Sequence, residues 1–353
     1  MTTRRRTLLK SVAALVALCF VAPATAQERE PTPVVATFSI LGDMVERIGE
    51  EHVNVTTLVG PGGDAHVYQP TPADARAVQD AEVMIVNGLE FEGWLDRLAD
   101  AAEFDGSLVV ATTGIEAIAF EDEHGDEHDD HHDEEHAEGK HDDEHDEHDE
   151  HGDEHDEEHA EGKHDDEHGD GHDEHDHGAF DPHAWLSLEN AVIYVDNITA
   201  ALAKADPANA TTFYSNRATY VEEIEALDAD IRAMMAALPE DARTVVTSHD
   251  AFQYFGRDYG LTFLAPQGLS TESEASAQDV ARLIEQMRAD EIGAAFVENV
   301  ADPRLLEQIA NETGATIGGT LYPGALSAAD GPATTYLDLM RHNATTLSTA
   351  LGS

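Results

Sequence analysis

Residues 121–178 hold 31 acidic side chains, 16 histidines and two lysines, with Ala137 and Ala160 as their only apolar side chains. Such a stretch buries too little apolar surface to offset the entropy of ordering it, so it predicts a disordered insertion. It also confines core formation to the sequence on either side. Within it, EEHAEGKHDDEH at 134–145 returns unchanged at 157–168. Repeats of this kind expand and contract easily, which suits a segment that concentrates ligands locally rather than holding one geometry.

Both flanking blocks alternate short apolar runs with amphipathic stretches. In the first, the pattern predicts strands at 34–40, 53–59, 82–86 and 108–111, and helices at 41–49, 71–80 and 94–102. In the second, a helix at 188–205 and the break at Pro207 precede strands at 244–247, 262–264, 294–297 and 316–321. Helices at 251–259, 276–288, 303–313 and 335–351 separate or follow them, with Ser276 as an N-cap. This alternation predicts α/β architecture with mostly parallel sheets in two similar lobes. Between them, 208–238 reads as one long helix. Its apolar stripe is Tyr220, Ile224, Leu227, Ile231, Met234 and Leu238, stepping by 4, 3, 4, 3 and 4. At roughly 1.5 Å per residue the helix reaches about 46 Å, long enough to join both lobes as a rigid rod. The expected organisation is a signal peptide at 1–26, an N-terminal lobe at 27–206 carrying the insertion at 121–178, a linking helix at 207–239 and a C-terminal lobe at 240–353.

The formal net charge is −54, of which the insertion carries −29 and the remainder −25. That balance argues against nucleic acid and anionic membrane surfaces, which reward basic patches, and favours a soluble, monomeric protein that attracts cations. Arg4, Arg5, Arg6 and Lys10, the apolar run at 11–22 and Ala24-Thr25-Ala26 form an export signal with a cleavage site, which places the mature chain in the periplasm. The apolar run is too short for a stable membrane span. Arg5-Arg6-Thr7-Leu8-Leu9-Lys10 resembles a twin-arginine signal, and an ordinary Sec signal with a long basic region fits equally. Cys19, the only cysteine, lies inside the signal behind Leu18, where a lipid-anchored protein has a small residue. The mature chain therefore offers no thiolate, and a metal site must use histidine, carboxylate and water.

Five histidines lie outside the insertion. His52 and His342 read as surface residues. His66, His183 and His249 each sit where a strand or glycine-rich loop meets a helix, the position at which open α/β sheets bind ligands. Each has a carboxylate within two residues, Asp64, Asp181 and Asp250 respectively, able to orient an imidazole.

The phrases Gly63-Asp64-Ala65-His66-Val67-Tyr68-Gln69-Pro70, Asp181-Pro182-His183-Ala184-Trp185-Leu186 and Ser248-His249-Asp250-Ala251-Phe252 resemble the metal-ligand motifs of the zinc/manganese solute-binding proteins of ABC importers. The resemblance covers nearly the whole mature chain, including motif order, the long helix and the acidic histidine-rich insertion. It implies two α/β lobes with the metal in the cleft between them, His66 and His183 coming from the first lobe and His249 from the second. It also implies a partner permease and its ATPase. Manganese members resemble His-His-Glu-Asp sites; here His249 stands where they have the glutamate. Three imidazoles without a thiolate suit Zn(II) as the transported ligand of the high-affinity zinc-uptake branch. The family's fourth ligand, an Asp in a phrase like Leu-Tyr-Ser-Asp-Ala-Leu-Ser, is replaced here by Gly324 in Leu321-Tyr322-Pro323-Gly324-Ala325-Leu326-Ser327. Water is the first expectation for that position and Glu298, at the end of a strand, the second, with Glu298 as a structural hydrogen-bond acceptor the competing reading.

The insertion's histidines are His124, His128, His131, His132, His136, His141, His145, His148, His151, His155, His159, His164, His168, His172, His175 and His177. They recur mostly every three to five residues, and near pH 7 most are neutral and able to bind metal. They predict weak auxiliary sites for zinc or nickel that capture or buffer metal beside the cleft. An alternative is a periplasmic zinc buffer or metallochaperone acting mainly through this segment. A zinc hydrolase also uses three histidines and water. Against it, the sequence has no H-E-x-x-H and no nucleophile elbow, so no enzymatic activity is expected.

Overall fold

The computed structural model describes residues 30–119, 180–272 and 274–352; the export segment and the whole acidic insertion at 121–178, with its histidines, lie outside the described residues. The first lobe is a four-stranded parallel sheet of β1 (Thr32–Phe38), β2 (Val53–Val59), β3 (Val83–Val86) and β4 (Ser107–Val110), in the order β2-β1-β3-β4. Helices α1 (Ser39–Gly49), α2 (Pro72–Gln79) and α3 (Leu95–Ala102) connect them, and α4 (Leu188–Ala205) packs on β3 and β4. Central strands β1 and β3 are buried almost throughout, which is why both read as continuous apolar runs rather than alternating ones.

The second lobe repeats the winding. Strands β5 (Thr244–Val246), β6 (Thr262–Leu264), β7 (Ala294–Glu298) and β8 (Thr316–Leu321) form a parallel sheet in the order β6-β5-β7-β8. Its helices are α6 (Gln253–Tyr259), α7 (Ala277–Ala289), α8 (Arg304–Thr313) and α9 (Tyr336–Leu351). Two lobes of parallel α/β structure agree with the sequence expectation. In each, the chain reverses its direction of winding beside the first strand, opening a crevice at the carboxyl ends of β1 and β3, and of β5 and β7.

The long helix α5 (Ala210–Ala236) has 27 residues, about 40 Å at 1.5 Å each, and touches α1 and α4 of one lobe and α6 and α9 of the other. It buries Tyr220, Ile224, Leu227 and Ile231 as the stripe predicts, but Met235 rather than Met234 turns inward. A strict 3.5-residue stripe drifts about 20° per heptad on a straight helix, so the third heptad is served by the next residue.

One apolar cluster runs from β1, β3 and α1 through α4 and α5 into α6 and α9. A second, smaller cluster joins Val246, Leu283, Ile284, Met287, Ile292, Ala295, Leu306 and Ile309 in the outer part of the second lobe. Replacing fully buried Ile224 with alanine should lower the unfolding free energy of the metal-free protein by about 2–5 kcal/mol. Urea titration followed by circular dichroism reads this directly.

Candidate metal site

His66 lies in the turn that follows β2. Gly60 and Gly63 close this turn through a backbone bond of 3.0 Å, and Gly62 adopts φ +71°, a conformation glycine reaches without strain. His183 ends the Asp181-Pro182-His183 segment just before α4, and His249 follows β5 at the second crevice. The structure brings these three imidazoles together. His66 Nε2 and His183 Nε2 are 3.2 Å apart, and one ligand atom from each of the three residues lies within 4.8 Å of the others. Two nitrogens at about 2.0–2.1 Å from a tetrahedral zinc ion would be separated by about 3.3 Å, so the His66–His183 pair has the spacing of two ligands of one ion, while the set of three spreads to 4.8 Å.

Hydrogen bonds fix two of the ring orientations. Asp181 Oδ1 accepts from His183 Nδ1 at 2.8 Å and from its backbone N–H at 2.9 Å. Glu298 Oε2 accepts from His249 Nδ1, while Oε1 accepts the backbone N–H groups of Ser248 and His249 at 3.0 and 3.2 Å. Both arrangements leave Nε2 as the lone-pair donor, and buried His249 Nε2 has no hydrogen-bond partner. Of the two readings of Glu298, the structure shows the hydrogen-bond acceptor, both its oxygens being bound to the His249 loop. Asp64 and Asp250 differ from expectation: Asp64 accepts from the backbone of His66 rather than its ring, and Asp250 accepts from Gln253 Nε2. Among the described residues the ligand group contains three imidazoles and no carboxylate. A Cβ built on Gly324 would meet nothing within 4 Å. His52 packs edge-on against Phe213, and His342 bonds Thr320 O at 3.0 Å, both apart from the cluster.

An aromatic wall backs the imidazoles. Phe91 lies 4.7 Å from the His66 ring and 4.8 Å from Trp185, which in turn lies 5.3 Å from His183. Phe91 is delivered by a tight loop after β3 in which Gly88, Leu89 and Glu90 all have positive φ. Such conformations cost roughly 1–3 kcal/mol each in non-glycine residues and persist only where surrounding contacts impose them. Here buried Glu92 accepts from Thr37 Oγ1 and the backbone N–H groups of Asn87 and Gly88. Asn87 then donates to Pro182 O at 2.9 Å and accepts from Tyr194 OH at 2.6 Å, bracing the His183 segment. Sequence reading missed Phe91, Glu92 and Asn87, whose partners Thr37, Pro182 and Tyr194 are distant in the chain; the only local signal is the glycine ending an apolar run.

Burial and the neighbouring imidazoles hold His66 and His183 well below the ordinary histidine value, so both are neutral, the ligand form. Burial acts most strongly and lowers His249, but Glu298, with Asp64 and Asp250, together outweigh it and hold His249 above the ordinary value. Burial pushes Asp181 up to about 7 and Asp250 up to about 6.

Residues 34–350 match the family described as zinc-uptake complex component A, periplasmic. The chain belongs to this family of metal-binding solute-binding components of ABC importers. They act outside the cytoplasm and are not enzymes. Among similar proteins, the manganese-binding lipoprotein MntA of Bacillus subtilis (strain 168) is 32% identical, with 90% of this chain and 89% of that protein covered. The iron-binding protein YfeA of Yersinia pestis is 30% identical over 90% of this chain and 86% of its own length. Among solved structures, the periplasmic zinc binding protein TroA of Treponema pallidum aligns with a TM-score of 0.72 at 25% identity, covering 91% of this chain and 99% of that one. A manganese-bound periplasmic metal binding protein of Candidatus Liberibacter asiaticus aligns at 0.69 and 30% identity with the same coverage.

A dication at the imidazoles should expel protons from His249, Asp181 and Asp250, the groups at the cluster held above their ordinary values, and not from His66 or His183. Apparent affinity should therefore fall as pH drops through about 7, where Asp181 titrates. Calorimetry near that pH in buffers of different ionisation enthalpy counts the protons; Glu298→Gln should release fewer than the native protein.

Proposed function

We propose that the protein captures Zn(II) in the periplasm at His66, His183 and His249 and delivers it to a membrane permease driven by a cytoplasmic ATPase. The observation that carries this reading is the convergence of three buried imidazoles, two with Nδ1 tied to carboxylates so that Nε2 faces the shared point. All-nitrogen donors favour zinc, whereas oxygen-rich sites favour manganese. The manganese and iron named for MntA and YfeA belong to those proteins, and the metal set of this chain is read from its own donors. Water completes the tetrahedron, in keeping with Glu298 being bound elsewhere and with the space at Gly324.

The 16 histidines of the insertion support an auxiliary role in collecting zinc near the cleft. They also favour a second reading, a periplasmic buffer or metallochaperone in which the insertion is the principal site. Zinc titration separates the two. The native protein should show one tight site and several weak ones. Deleting 121–178 should remove the weak sites only, and the His66→Ala/His183→Ala/His249→Ala variant should remove the tight one. At about 1,000 times its Kd, zinc should raise native stability by roughly 4 kcal/mol. If the triple variant keeps a tight zinc and that stabilisation, the cleft assignment fails.

Selectivity supplies a further prediction. Gly324→Asp adds a hard oxygen donor where side-chain space is open. Competition titration should show the preference for zinc over manganese narrowing relative to the native protein.

A further inference from the structure

The seam between the lobes is secured differently on its two sides. On one side, residues 322–336 of the second lobe are stitched into the first. Trp185 Nε1 donates to Pro323 O at 2.7 Å, Gly62 N–H to Leu326 O at 2.8 Å, and Leu326 N–H to Ser39 Oγ at 3.0 Å. Tyr336 OH donates to Trp185 O at 2.6 Å, and Leu326, Ala333 and Tyr336 belong to the large apolar cluster that spans both lobes.

On the other side lies the loop between β6 and α7, which leads into the separate smaller core. Its base is fastened to one metal ligand: Gln267 pairs with His249 in a parallel bridge, and Asp250 N–H donates to Gly268 O at 3.1 Å. Further along, Thr271 Oγ1 donates across the seam to Asp64 Oδ2 at 2.6 Å. The other oxygen of that carboxylate accepts the backbone N–H of His66 at 2.9 Å. A short chain of bonds therefore runs from His249, through Gln267–Thr271 and Asp64, to His66, joining ligands contributed by opposite lobes.

We propose that Thr271 and Asp64 are positioning residues for metal retention, holding the His66 loop against the His249 loop so that the ion leaves only after this link opens. The proposal rests on the reading of His66, His183 and His249 as the metal ligands. Asp64 acts on His66 through the backbone, which leaves the ring free to coordinate. The link contributes to the dissociation step, because entry can proceed with the seam parted while escape requires parting it.

The test is release of zinc from the full-length protein to excess chelator, followed by stopped flow. Loss of the slowest phase in His66→Ala identifies that phase as the cleft. Thr271→Val should speed it about fivefold, the weight of one hydrogen bond, with the association rate unchanged. Thr271→Ser, which keeps the hydroxyl, should restore the native rate. Ile309→Ala loosens the smaller core without removing the Thr271–Asp64 bond and should leave release close to native. The proposal is overturned if Thr271→Val releases at the native rate, if Thr271→Ser is as fast as Thr271→Val, or if Ile309→Ala accelerates release equally. Persistence of the slow phase in His66→Ala would instead overturn the ligand reading on which the proposal stands.

Discussion

Three imidazoles crowded into a lobe interface must stay uncharged to serve one cation, and burial is what keeps two of them so. A buried charge without a partner costs several kcal/mol, so desolvation drives His66 and His183 to the neutral form. His249 is treated differently, because the Glu298 carboxylate beside it favours a proton when no ion is bound. The same carboxylate orients the ring by holding Nδ1 and two backbone N–H groups. One group thus sets both the direction of the donor lone pair and the proton that a metal must displace.

The fold supplies that arrangement through repetition. Both sheets wind in the same order, so both present a crevice at the carboxyl ends of their central strands. Strands β5 and β7 place His249 and Glu298 side by side at one crevice. In the first lobe, β3 delivers Asn87, Phe91 and Glu92 to the other. The strained turn at Leu89 and Glu90 is tolerable because the buried Glu92 anchors it with three hydrogen bonds.

Much of this was legible in the chain. The strands at Val53–Val59, Thr262–Leu264 and Thr316–Leu321 and the helix Leu188–Ala205 fall where periodicity and turn residues place them. Elsewhere the helix starts shift by a residue or two, as at Thr71 and Thr335, which the structure uses as N-caps rather than helical residues. The three histidines stood out because each sits in a loop between elements. Their supporting groups were legible only in part: Asp181 and Glu298 were named, but which ring Glu298 serves was not, since carboxylates adjacent in sequence are poor guides to orientation in space. Asp181 does bond the ring beside it, but His249 is oriented by Glu298, 49 residues away, and Pro182 is held by Asn87, 95 residues away. Contacts of that range are set by strand order, which local pattern does not encode.

Charge outside the site bears on the same chemistry. With the insertion set aside, the chain still carries −25, so the field around the cleft attracts cations of any identity and raises their local concentration. Attraction of that kind does not discriminate among divalent ions. Discrimination would fall to the donors, and the candidate donors among the described residues are nitrogen only. On the proposed ligand reading, an acidic surface with an all-imidazole cleft would separate two tasks: the carboxylates would gather, and the rings would select. Asp181 and Glu298 bond the Nδ1 side of their rings, so on that reading they would keep charge near the metal without making the site oxygen-rich.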